Sequence, residues 1–307
     1  MAFDFHRLRS ERVYRNSAPV QAMMADLDRL RSLDTEAERN RGMWKDRALA
    51  TGIAGLGLLI LSAVLAGASA SSSVVANVGL ALGGVLLLGC CVCLFMSARL
   101  ALLNLEDRRY ELALRVLQRL RQDIDPEETV SLELDFRPTS HPSKLTERGS
   151  LGEWKTESYV DPFLTFQARL RDGTHLRLGM EQRLQLRNRT RRNPRGKSKT
   201  KRKTRSAALV HVQLRVKPER HPSLAQLGRD ARKAVKLPPQ VALKRLEVTE
   251  DRLSMRARMG AGWEAKAHGK HVSLDAPRTV LMMLLSLYQV LNQSTAMRRR
   301  SAARVSS

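Results

Sequence analysis

Residues 48–98 run fifty-one positions without a charged side chain or a histidine. One transmembrane helix needs only about 20 apolar residues, so this run is long enough for two. Small and polar residues at 67–73 interrupt it, which predicts spans at 49–68 and 74–97 joined by a tight turn. Backbone groups in lipid must be satisfied inside the segment, so both spans are expected as helices, paired antiparallel. Gly79 with Gly83, Ala50 with Ala54 and Ala63 with Gly67 offer small faces at four-residue spacing for close helix contact.

The flanks are amphipathic. Val20, Met23, Leu27, Leu30, Leu33 and Ala37 recur at steps of three and four, predicting a helix over about 18–47 capped by Ser17, with Pro19 in its first turn. Leu103, Tyr110, Leu114, Leu117, Leu120 and Ile124 repeat the pattern in a juxtamembrane helix within 99–128 that Pro126 stops. The two arms are expected to pair with each other beyond the membrane; binding a partner's helix or another copy is the alternative. An upright pair of some 28 residues would stand about 40 Å tall.

From residue 129 the period drops to two. Val130, Leu132, Leu134 and Phe136 alternate with polar residues as a half-buried strand, followed by a long loop over 138–161. Leu164, Phe166, Ala168 and Leu170 then lead into Asp172-Gly173, a strong hairpin signal because Gly tolerates the positive φ of the turn. The return strand holds Leu176 to Leu186, interrupted at Gln182, and the next holds Ala208 to Val216. A short amphipathic helix after Pro222 and a second hairpin turning at Glu250-Asp251 follow. A last helix, capped by Asp275, has an apolar body over 280–291 that is too short to span a bilayer. Burying it on all sides calls for a second layer or a dimer partner. The predicted fold is a membrane α-helical hairpin of two transmembrane helices followed by a cytosolic α+β domain with an antiparallel sheet of five to seven strands. Its divisions are an N-terminal segment 1–47, the hairpin 48–98, the juxtamembrane helix 99–128, a basic domain 129–297 and a basic tail 298–307.

Charge changes this picture by locating the partner surface. Of the net +24, residues 129–307 supply thirty-eight Lys/Arg against fifteen Asp/Glu. Such a field favours anionic partners. The densest run lies between two strands and is expected as a mobile hairpin loop, 187–206. Its candidate anion-binding residues are Arg187, Arg189, Arg191, Arg192, Arg195, Lys197, Lys199, Lys201, Arg202, Lys203 and Arg205. Acidic lipid headgroups are the first expected partner, at about 1 kcal/mol per Lys or Arg near an anionic leaflet. Half of a twenty-residue loop reaches about 33 Å at most, so an upright stalk would hold it off its own membrane. Nucleic acid, another polyanion or an acidic protein surface is the alternative, with self-association through the arms or spans as a further contact. Residues 183–220 contain no Phe, Tyr or Trp, which argues against base stacking there. Lys45, Arg47 and Arg99 flank the spans while the turn is uncharged, which predicts an inner (cell) membrane protein with both termini cytoplasmic. The acid-containing 47-residue leader argues against a cleaved signal at 66–70.

Catalytic signatures are missing: there is no Walker A and no G-x-S-x-G sequence, so neither an enzyme nor a cofactor is expected. His268 and His271 read as loop histidines, and Cys90, Cys91 and Cys93 as small packing residues, with lipid modification as the alternative. Glu147, Glu153, Glu157 and Asp161 gather near Trp154 and Tyr159 and are the only grouping that suggests a general acid or base.

Overall fold

The computed structural model describes residues 8, 10–68, 73–101, 105–194, 196–265 and 274–305. Arg29–Leu105 form one compact unit; Met1–Asp28 and Glu106–Ser307 form the other.

The smaller unit holds most of helix α1 (Val20–Ala68) and all of α2 (Ser73–Ala101), both long and apolar enough to cross a membrane. Most of the turn expected at 67–73 lies outside the described residues. The two helices meet through small side chains placed seven residues apart. Ala48, Gly55 and Ser62 line α1, and Ala76, Gly83, Cys90 and Ser97 line α2, with Gly79 and Cys93 between them. A seven-residue repeat keeps one face turned to the neighbour over several turns. A Cβ on Gly83 would meet Leu59 at 2.8 Å and the Gly55 carbonyl oxygen at 3.2 Å. Gly79 and Gly83 therefore serve the hairpin's own seam, whereas Ala50, Ala54 and Ala63 face outward. Cys93 is buried in the seam and Cys90 half-buried beside it, while Cys91 is exposed. Leu49, Ile53, Leu56, Ile60, Val85 and Phe95 are exposed on the outside. Gly83→Leu is expected to destabilise this pair by about 1–3 kcal/mol through overpacking. Gly84→Leu, with nothing within 4 Å of its Cβ position, should be tolerated. Protease resistance of the two variants in detergent compares them, and equal resistance would contradict the seam.

The larger unit is built on an eight-stranded sheet ordered β1-β2-β4-β5-β6-β8-β7, with every pairing antiparallel and β3 added beside β4. The strands are β1 (Val13–Pro19), β2 (Thr129–Asp135), β3 (Leu145–Leu151), β4 (Trp154–Arg169), β5 (His175–Arg192), β6 (Ser198–Arg215), β7 (Ala242–Val248) and β8 (Arg252–Gly260). Short β9 (Trp263–Glu264) and β10 (Leu274–Asp275) form a separate pair. Helix α3 (Asp107–Leu120) packs against β4 and against the last helix, α4 (Ala276–Val305), which crosses β6 and β8. Leu132, Leu164, Phe166, Leu178, Met180, Val210, Val212 and Met255 fill the face between sheet and helices. Asp172-Gly173 and Glu250-Asp251 turn as expected, Gly173 at φ +82°.

Several expectations are corrected. Ser17 and Pro19 belong to edge strand β1, and α1 starts at Val20. The proline ring keeps Ala18 out of the helical region, and an edge strand tolerates the missing N–H. The arm expected over 99–128 is no stalk. Tyr110, Leu112, Val116 and Leu117 of α3 are all buried in the sheet domain. The loop expected over 138–161 contains β3 and the outer half of β4, turning at Gly152 with φ +57°. After Pro222 the chain forms two 3₁₀ turns, Ala225–Gly228 and Ala231–Ala234, instead of one helix. The second of these packs on α4, and Ser286 Oγ accepts a hydrogen bond from the Lys236 N–H at 3.0 Å. This segment adds a second layer over part of α4, while Leu285 on the same helix stays exposed. The expected tail over 298–307 continues α4 through Val305.

Candidate anion-binding face

The segment 187–206 is paired strand for almost its whole length. Residues 175–192 of β5 face residues 215–198 of β6 without a register shift, closing on a turn in which the Asn193 N–H donates to the Lys197 carbonyl at 2.8 Å. Gly196 holds φ +78° in that turn. The mobile loop expected there is replaced by a hairpin, because each strand carries its charges at alternate positions, the period of an extended chain.

That period sorts the candidate residues by face. Arg187, Arg189 and Arg191 share one face of β5, and their register partners Lys203, Lys201 and Lys199 share it on β6, with Arg205 opposite Gln185. Arg192 and Arg202 lie on the other face among Asn188, Thr190, Ser198, Thr200 and Thr204. Lys197 sits in the closing turn, and Arg195 lies outside the described residues. Three rungs thus set like charges directly opposite each other, an arrangement that weakens a strand pair. Along each strand the cations recur about every 6.8 Å.

The same face continues down the sheet. Arg177 and Arg183 extend it on β5, Arg215 on β6, and Arg252, Arg256 and Arg258 on β8. Glu181 is the only carboxylate it carries on these three strands. The opposite face is the packed core, so one side of an antiparallel sheet is apolar and the other basic. His211, between Arg177 and Arg256 on this face, has its pKa lowered first by burial and then by the charges of those arginines. Sequence reading by apolar phase missed Arg177, Arg183, Arg256 and Arg258. The complementary polar phase, Arg252, Arg256 and Arg258 between Leu253, Met255, Ala257 and Met259, was the available signal.

An aromatic ring from outside the basic segment joins the face. A bulge between Asp161 and Leu164 shifts the phase of β4, so that Thr156, Ser158 and Val160 share the side of Arg187, Gln185 and Arg183. Trp154, two positions before Thr156, lies under Arg189 Cζ at 5.7 Å and Lys203 Nζ at 5.1 Å from its ring centroid. Next to it Glu153 pairs with Arg189 at 2.8 Å and Arg191 at 3.0 Å. The tip is therefore partly neutralised from within the protein.

The acidic grouping noted in the sequence does not converge. Glu153 serves the ribbon, and Glu157 accepts a hydrogen bond from the Tyr159 hydroxyl at 2.9 Å. Glu147 lies in strand β3. Asp161 is fully buried, pairing with Arg109 Nη2 at 2.9 Å and Lys144 Nζ at 2.6 Å. Asp135 joins this network; despite its burial, hydrogen bonds from Arg137 and the nearby Lys144 hold its carboxyl below the usual range. The network holds α3 to β2 and β4. Gln182, the polar interruption in an apolar strand phase, is buried between Arg108 Nη2 and Ser206 Oγ, each at 3.3 Å. His268 and His271 lie outside the described residues. No family model, no curated protein and no solved structure matches this chain.

Proposed function

We propose that this is an integral membrane protein whose sheet domain captures nucleic acid through the phosphate backbone. The observation that carries the reading is the one-sided strip of cations on β5, β6 and β8, opposite the packed core. Clustered Lys and Arg need no base readout to bind a phosphate polymer, and binding of this kind is strongly salt-dependent. Strands twist along their length, so cations far apart along the 18-residue strands of the ribbon point in different directions. A helical polyanion can follow such a strip, whereas a flat headgroup layer meets only part of it. Trp154 adds a ring on which a base can stack, the element missing from residues 183–220 themselves.

The membrane part of the reading rests on the exposed apolar outside of α1 and α2, which water would penalise and lipid would not. Lys45, Arg47 and Arg99 at the span ends favour cytoplasmic termini at an inner membrane. A second reading, acidic lipid headgroups as partner, is favoured by Leu151, which is exposed near Trp154 at the β3–β4 turn. An apolar tip beside cations suits a bilayer interface.

Full-length protein in neutral nanodiscs separates the two. Anisotropy with a labelled duplex should show binding at 50 mM salt that weakens by orders of magnitude at 200 mM. Retention by anionic vesicles with no duplex binding would overturn the nucleic-acid reading in favour of the lipid one. Binding to neither would leave the charge a device that keeps the ribbon's open edges from pairing with other chains.

A further inference from the structure

At the tip of the ribbon two guanidinium groups already have a carboxylate. Arg189 and Arg191 share Glu153. A second group of cations without a carboxylate lies at the other end of the ribbon. There β5 and β6 meet β7 and β8 around a groove of about 750 Å³ on the basic face. Arg205, Lys244, Arg256 and Arg258 line it, and among the described residues none of these four side chains has a carboxylate or hydrogen-bond partner. Two further cations in the lining, Arg183 and Arg245, are held by Glu181 and Glu247. No Asp or Glu belongs to the lining itself. Ala207 leaves the centre short, between its register partners Arg183 on β5 and Gly260 on β8, with Arg205 two positions before it on β6 and Arg258 opposite Leu209, two positions after it.

We infer that this groove is a discrete site for a compact, multiply charged phosphate group, such as a diphosphate or triphosphate. Four unpaired cations match the three or four negative charges of that group without a metal ion. Three are guanidiniums, whose planar forks hold phosphate oxygens by paired hydrogen bonds. Ser158, opposite Gln185 on this face, adds a hydroxyl to the lining. The volume falls in the range of small-ligand sites, about 300–1,000 Å³. Without a carboxylate, the groove disfavours a bound metal or a basic ligand. The inference rests on the reading of this face as anion-binding, but it locates the strongest site at the root of the ribbon. Nucleotides and phosphorylated headgroups share this chemistry.

The test uses full-length protein in neutral nanodiscs and three probes: inorganic triphosphate, a nucleoside triphosphate and a soluble inositol polyphosphate. Calorimetry should show saturable binding of inorganic triphosphate at physiological salt. Tighter binding of the nucleotide or of the inositol probe would support the site and assign its source. Arg205→Ser with Arg258→Ser, both exposed positions, should weaken binding by roughly ten- to hundredfold per side chain. Arg189→Ser with Lys203→Ser at the tip should leave it within about threefold, since neither lines the groove. Lack of binding by all three probes, or equal losses from both variants, overturns the inference. Duplex binding by the same samples is scored separately: a duplex that binds where triphosphate does not defeats the groove alone, and the reverse defeats only the nucleic-acid reading.

Discussion

Replacing Arg189, Arg191, Lys201 and Lys203 together with serine is expected to weaken duplex binding by roughly 10²- to 10³-fold at low salt, at about 1 kcal/mol or less per lost cation. The slope of log affinity against log salt should fall by about 3–4, one for each phosphate contact removed. These residues share one face of the ribbon. Arg192→Ser with Arg202→Ser removes cations from the other face and should change affinity by less than about tenfold. Unfolding does not account for such a loss. The quadruple variant relieves like-charge rungs at Arg189↔Lys201 and beside it, so the ribbon should become more stable. Glu153→Gln should act in the opposite direction, because it releases Arg189 and Arg191 from their internal carboxylate. Salt titrations of duplex anisotropy measure all of these. Equal losses from the two faces would show that only total charge matters, and the proposed face would be wrong.

Asp161→Asn is expected to destabilise the sheet domain by about 3–5 kcal/mol, the cost of leaving buried cations without their partner. Asp161 and Arg109 are almost completely inaccessible, and Lys144 approaches the second carboxylate oxygen at 2.6 Å. The network also closes a stack of four layers. Arg109 lies 4.8 Å over Phe163, Phe163 stacks on Trp263 at 5.5 Å, and Arg108 lies 4.6 Å over Trp263. Loss of one charge therefore loosens the start of α3, the β4 bulge and the strand after β8 together. At about 2–4 °C per kcal/mol for a domain of this size, the thermal midpoint of full-length protein in detergent should fall by roughly 6–20 °C. Asp230→Asn, which removes the partner of exposed Lys233, should leave it unchanged. A small, equal effect from both would show that the buried network contributes nothing to holding the helix on the sheet.

Where chain period and chemistry agree, the fold was legible. Fifty-one uncharged residues can only be long apolar helices, and apolar residues at every second position announce β2, β4, β5, β6 and β8. Asp172-Gly173 and Asp275 mark a turn and a helix start because their local chemistry suits little else; the Asp275 carboxylate accepts from the Arg278 N–H at 2.9 Å. The amphipathic stripe of α3 was equally clear, but a stripe does not say what covers it. It reads the same on a stalk, in an oligomer or against a sheet. Residues 187–206 depart from expectation for a related reason: charge repels and suggests disorder, while the alternation Arg-x-Arg and Lys-x-Lys has no apolar residue to mark it as strand.

The sequence by itself determined the two apolar helices, the antiparallel hairpins and the concentration of positive charge after residue 129, because each is a property of neighbouring residues. Tertiary structure alone decided which charges act together. Pairing β5, β6 and β8 in register brings Arg183, Arg205 and Arg258 onto neighbouring rungs, although they are 22 and 53 positions apart along the chain. The bulge between Asp161 and Leu164 turns Trp154 onto that face and Asp161 into the core. A one-residue change of phase reverses which side of a strand faces solvent, and no local pattern in Trp154 to Arg169 records which phase the neighbouring strands will accept.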